Sequence, residues 1–224
     1  MIDLQQRLAE LSNEEREEIF KYLRSEIKIH PLEDEFNAQA EVILEAISRG
    51  SDLTKRGIRG IIAEASFKVE VLENLTGWQD ITPPGDLPFD FKIVDSIGEV
   101  GIQVKMQRKK AQRPMMANEG YRVLSNDKYV VETQKTRGGE KDGENTRPYR
   151  FGEFEILAVS MHPSTNDWSE FRYTVARWLL PDFKDDSRIL KFQPVPLEKN
   201  EDWTDSLEEC IEWFRSGRQH TISR

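Results

Sequence analysis

The apolar positions change period along this chain, from about 3.6 in the first third to 2 and then to short unbroken runs. Ile19, Phe20, Leu23 and Ile27 recur at helical spacing. Ser12 stands three residues ahead of Glu15, which matches a capping box with Ser12 as N-cap and Glu15 reaching back. Pro31 closes that helix. A second helix is predicted over 36–48, with Ala40, Ile43, Leu44 and Ile47 inward and Gly50 after its end. Ser51 or Asp52 can cap a third, over 53–75. Its Ile58, Ile61, Ile62, Ala65, Val69 and Leu72 form one apolar face, with Glu64 near the edge. Gly57 and Gly60 lower helix propensity there but let another backbone approach.

From residue 88 the period is 2. The stretch 88–110 reads as two short strands joined by a turn at 95–98. In that register Asp90 lies opposite Gln103, with Cβ atoms about 4.5–5.5 Å apart. Alternation puts Lys105 on the same face as Asp90 and Gln103. Phe89, Phe91, Ile102, Val104 and Met106 then face a core. A slip of one residue would turn Asp90 to the wrong side. A third strand is predicted over 128–134. A fourth, over 151–161, is nearly continuous in apolar residues and therefore central. Residues 171–180 fit either helix or strand. Residues 189–195 read as an edge strand, since Pro194 and Pro196 cannot donate to a ladder. An amphipathic helix over 204–215 follows. Together these predict an α/β (α+β) fold: a central mixed sheet flanked by helices, with a helical N-terminal region, 1–50, packed on a core of 51–224.

The chain has 224 residues, 37% hydrophobic and 33% charged, which suits one globular domain, or one domain with a helical annex. No apolar run approaches the roughly 20 residues of a membrane helix, and the first residues lack the features of a secretory signal. A single cysteine, Cys210, leaves no internal disulfide, so a reducing cytoplasm is the expected location. The net charge of −9 argues at first against a polyanionic partner. Its distribution reverses that. Residues 103–150 hold 12 Lys and Arg against 6 Asp and Glu, while the remainder holds 20 against 35. Phosphate binding follows the local field, and an acidic body limits indiscriminate sticking.

A carboxylate facing a polar-x-lysine pair is what metal-dependent cleavage of a phosphodiester requires. The basic run Arg108-Lys109-Lys110 just beyond it is what a nucleic-acid substrate requires. The other chemistries have little support: His30, His162 and His220 lack metal-ligand spacing, and no phosphate-binding glycine loop or Ser/Cys nucleophile motif occurs. Asp90 followed after a 12-residue gap by Gln103-Val104-Lys105 resembles the motif of the PD-(D/E)XK nuclease superfamily. Size, the helical start and the basic segment are most similar to type II restriction endonucleases. The chain departs from the pattern in two places: Phe89 precedes the aspartate, with the proline one place earlier at Pro88, and Gln103 stands at the acidic position.

The resemblance implies a Mg²⁺-dependent, sequence-specific double-strand DNA endonuclease. Its ion would be held by Asp90, Gln103, the Val104 carbonyl and Glu64, with Lys105 orienting the attacking water and stabilising charge on the phosphate. Glu64 would restore the charge that Gln103 lacks. DNA contacts are expected from a segment of about 103–150, through Arg108, Lys109, Lys110, Arg113, Gln134, Lys135, Arg137, Arg147 and Arg150. A homodimer would match a palindromic site, and a cognate DNA methyltransferase is the implied genetic partner. Two other readings remain open from the sequence. One is a structure-specific or repair nuclease of the same fold; the other is a catalytically decayed DNA-binding protein, favoured by the neutral Gln103.

Overall fold

The computed structural model describes residues 4–135, 138–141 and 144–224. The chain folds into two compact units, Met1–Gly57 and Ile58–Arg224.

The first unit is helical: α1 Leu4–Ala9, α2 Asn13–Glu26, α3 Leu32–Glu35 and α4 Ala40–Ser48. The capping box forms, with the Glu15 N–H donating to Ser12 Oγ at 3.2 Å and the Ser12 N–H to Glu15 Oε2 at 2.8 Å. The helix predicted over 36–48 is shorter. Glu33 is the reason: its carboxylate accepts the Ala40 N–H at 2.8 Å and the Ile29 N–H at 2.6 Å, which draws the intervening chain into a turn. Asn37, with φ of 48°, lies in the left-handed region that breaks a helix. Arg24 donates to Glu33 at 2.7 Å and to Glu41 at 2.8 Å, tying α2, α3 and α4 together. With the backbone donors of Ala40, Ile29 and His30, it pulls the Glu33 carboxyl down to about 2.

The second unit is built on a five-stranded mixed sheet. Its strands are β1 Gln79–Asp80, β2 Phe91–Val94, β3 Glu99–Met106, β9 Ile156–Ser160 and β10 Phe171–Val175, and they lie side by side in that order. Only the β3–β9 pairing is parallel. All five residues of β9 are buried, as its unbroken apolar run predicts. The ambiguous stretch resolves into β10 and a 3₁₀ turn over Ala176–Trp178. Between β3 and β9 the chain makes a small hairpin of β4 Lys109–Lys110 and β5 Arg113–Pro114, a one-turn α6 Ala117–Gly120, then β6 Tyr129–Glu132 and the pair β7 Glu140–Lys141 and β8 Glu144–Asn145. A one-turn α7, His162–Thr165, follows β9. The proline-bearing β11 Phe192–Val195 pairs only with β6, off the main sheet. α8 Leu207–Arg215 is capped by Ser206. Among the described residues no helix is long and apolar enough to cross a membrane.

Helix α5, Asp52–Ser66, corrects the expected apolar face. It continues as a π turn over Phe67–Val71 and a 3₁₀ turn over Leu72–Asn74. Ala63 and Phe67 are the side chains it buries completely, and Glu64 beside them is half-buried. Phe67 packs on Phe91, Phe171 and Tyr173, with ring centroids 5.4, 5.3 and 6.3 Å away. Ile61, Ile62 and Val69, predicted inward, are left 63%, 38% and 52% exposed. The large ring of Phe67 dictates which side meets the sheet, and the π turn shifts the phase of everything after it. The carboxylate expected near the edge of an apolar stripe thus lies on the side that packs.

Candidate active site

The β2–β3 hairpin has the predicted register, with Phe91 opposite Ile102 and Val94 opposite Glu99. Asp95 sets the turn: its carboxylate accepts the N–H groups of Ile97 at 2.9 Å and Gly98 at 3.0 Å. Arg215 of α8 clasps that same carboxylate with two bonds, of 2.8 and 2.6 Å. One step before β2, the Asp90 N–H donates to the Ile102 carbonyl at 3.0 Å, so Asp90 stands opposite Gln103.

Asp90 Oδ2 accepts two donors, the Val104 N–H at 2.8 Å and Gln103 Nε2. Gln103 is buried. Its Nε2 also lies 3.2 Å from the Val104 carbonyl oxygen, and its Oε1 accepts from the Tyr149 hydroxyl at 3.1 Å. Lys105 is two residues on and shares this face. Its Nζ is 5.4 Å from the centre of the Tyr149 ring, and Lys135 Nζ is also 5.4 Å from that centre.

Electrostatics join Glu64 to this group. Burial, and then the charge of Asp90, push the Glu64 carboxyl up to about 7, while Lys105 works against the shift. Burial also raises the Asp90 carboxyl, opposed by Lys105 and by the Val104 and Gln103 hydrogen bonds. Burial lowers the Lys105 ammonium, opposed by Asp90 and Glu64. Two carboxylates and one ammonium therefore share a poorly hydrated corner that is short of positive charge.

This has a measurable consequence. The folded Glu64 pKa lies above its unfolded value of about 4.3, so the native state holds a proton there that the unfolded chain releases. The associated stability is fully present below about pH 4 and is lost as pH rises through about 7. In metal-free buffer the melting temperature should fall between about pH 5 and pH 7.5, and Glu64→Gln should flatten the decline. A variant with the same slope as the wild type would remove Glu64 from the cluster.

The donor set fits a small hard cation. Among the described residues no three His, Cys, Asp or Glu side chains gather into a metal cage. A cation here would rest on one or two carboxylates, amide or backbone oxygens and water, which is the habit of Mg²⁺. Gln103 is the point of tension, because its nitrogen rather than its oxygen is turned toward Asp90.

The predicted DNA contacts are dispersed and mostly paired. Arg108 bonds Glu132, which Lys191 approaches at 3.5 Å. Glu119 holds Arg113 at 2.8 Å and Lys110 at 3.2 Å. Lys135 bonds Glu153 at 2.6 Å, Arg150 donates to Ser187 at 3.0 Å, and Gln134 bridges to Pro148. Lys109 is half-buried in β4. The Arg147 carbonyl accepts the Lys135 N–H at 2.9 Å. Arg137 lies outside the described residues. The structure brings Lys135 to the Asp90 cluster, whereas Lys109, Lys110 and Arg113 are set on the β4–β5 hairpin. That hairpin turns through Ala111 and Gln112, both left-handed at φ of 47° and 66°. Two positive φ values are what a two-residue hairpin loop demands, yet neither residue favours them.

Tyr149 is the site residue that the sequence reading missed. The available signal was an aromatic flanked by Pro148 and Arg150 at the close of a polar loop, which does not reveal a partner 46 positions away.

No family model matches the chain, and no curated protein matches it. Among solved structures it is similar to a bacterial homing endonuclease, at 18% identity and a TM-score of 0.41, over 75% of this chain and 96% of that one. At that distance nothing about this chain is carried over from it.

Proposed function

We propose that this chain is a Mg²⁺-dependent endonuclease of double-stranded DNA, of the restriction type and acting as a homodimer. The observation that carries the reading is the convergence of Asp90, Gln103 and Lys105 on one face of adjacent strands, with Glu64 in the same field. Asp90, Glu64, the Val104 carbonyl and Gln103 would hold the ion. When bound, the ion would polarise the scissile phosphate and lower the pKa of an attached water. Lys105 would orient the nucleophile and stabilise the charge gathering on the phosphate oxygens. The surrounding burial strengthens that interaction by keeping bulk water away. Lys135, beside Tyr149, would exchange its Glu153 partner for a neighbouring phosphate. The uncovered apolar residues Ile61, Ile62 and Val69 supply a surface on which a second copy could bury itself.

The test is incubation of the purified protein with phage and plasmid DNA, with Mg²⁺ or with chelator, followed by sequencing of the ends. Discrete fragments with defined termini, lost with chelator and in Asp90→Ala, are expected. Cleavage confined to nicks, flaps or junctions would mark a structure-specific nuclease instead. Retention of DNA without cleavage under any divalent ion would favour the decayed reading, which the neutral amide of Gln103 supports.

A further inference from the structure

The environment of the Gln103 amide carries an inference that rests on the metal reading above. Gln103 is 1% exposed, so both ends of its amide must find partners inside the protein. Its NH₂ group lies against Asp90 Oδ2 and the Val104 carbonyl oxygen. Those are two of the oxygens a divalent cation would use. The NH₂ group thus sits, with its partial positive charge, in the space between them. Its own oxygen faces the other way, toward the Tyr149 hydroxyl.

A cation entering between Asp90 and Val104 would meet the wrong end of the amide. The two ends are nearly isosteric, and the terminal torsion of glutamine is broad and roughly two-fold. A half-turn would exchange them with almost no change of volume. What usually forbids such a turn is the group on the far side, since a pure donor or pure acceptor satisfies only one orientation. Tyr149 carries neither restriction, because a phenol both donates and accepts. An ordinary phenol keeps its proton at neutral pH, so both roles are open to it. Its ring is held edge-on by Phe154, with centroids 5.3 Å apart at 87°, and is flanked by the ammonium groups of Lys105 and Lys135.

We infer that Tyr149 is a positioning residue that serves as the pivot for Gln103. It donates to Oε1 in the metal-free protein and accepts from Nε2 once the amide has turned its oxygen onto a divalent cation. A glutamine at the acidic position is thereby a ligand that is stowed without a metal and presented with one.

The experiment follows the side-chain amide of Gln103 in ¹⁵N-labelled full-length protein, its NH₂ resonances assigned by their loss in Gln103→Glu. Addition of Mg²⁺ should shift the pair and produce a nuclear Overhauser contact between the NH₂ protons and the Tyr149 ring, absent beforehand. Mg²⁺ that perturbs the Val104 amide but leaves the Gln103 pair without the ring contact would overturn the pivot while sparing the metal site. A wild type in which Mg²⁺ perturbs nothing near Asp90 would sink the metal reading and the pivot together. Tyr149→Phe supplies a second measurement. It leaves a lone carbonyl oxygen in the metal-free state but a lone N–H in the loaded state, and buried N–H groups are the rarer orphans. Mg²⁺ affinity should therefore drop by about tenfold or more, as for other groups that orient a metal ligand. An unchanged affinity in a variant with native circular dichroism would refute the assignment.

Discussion

Lys105→Ala is expected to reduce DNA cleavage by about 10²–10³-fold, the usual loss when one preorganised charge-stabilising donor is removed. The fall should appear in kcat, because the proposed role of the ammonium lies where charge develops rather than where substrate docks. Two features of the corner make the effect large. Burial already depresses the Lys105 pKa, so the ammonium acts with little competition from water. It also offsets the raised pKa values of both Asp90 and Glu64. Without it the carboxylates repel each other unopposed, and the variant should take up additional proton near neutral pH, visible as a raised titration midpoint for Glu64. A gel assay beside circular dichroism decides the matter: robust cutting by folded Lys105→Ala protein would refute the site.

Phe67→Ala should be a severe truncation in the second unit, costing about 3–5 kcal/mol of stability as judged by urea unfolding. Phe67 is fully buried and meets three aromatic rings drawn from β2 and β10. It is also what orients α5 on the sheet. Glu64 precedes it by three residues, close to one helical turn, so the cavity left by the ring would loosen the placement of that carboxylate. At temperatures where the variant remains folded, the raised pKa of Glu64 should relax toward the ordinary glutamate range. Loss of stability well below 1 kcal/mol would mean that α5 is held by other contacts.

What the sequence disclosed was whatever depends on neighbours along the chain. The β2–β3 register followed from alternation and a turn signal, and it placed Asp90 against Gln103 without further information. The Ser12–Glu15 cap and the interior position of β9 were legible for the same reason. What stayed hidden depends on partners far away in sequence. The apolar stripe of α5 was plain, but its most hydrophobic side is not the side that packs, because one phenylalanine filling an aromatic socket outweighs several isoleucines. A π turn leaves no mark on a periodicity. Tyr149 has no local pattern at all. The basic residues were identifiable as a group, but Glu119, Glu132 and Glu153, which hold Arg108, Lys110, Arg113 and Lys135, became partners only through tertiary folding.

The clasp of Arg215 on Asp95 joins the turn of the β2–β3 hairpin to a side chain 120 positions later. Translation must therefore proceed far beyond the β2–β3 hairpin before its brace exists. A prematurely terminated product ending soon after residue 200 would carry Asp90, Gln103 and Lys105 without the strut that steadies their turn. Such a fragment would hold a loosened hairpin rather than a braced one, so the geometry of Asp90 and Gln103 matures only as the last helix is made.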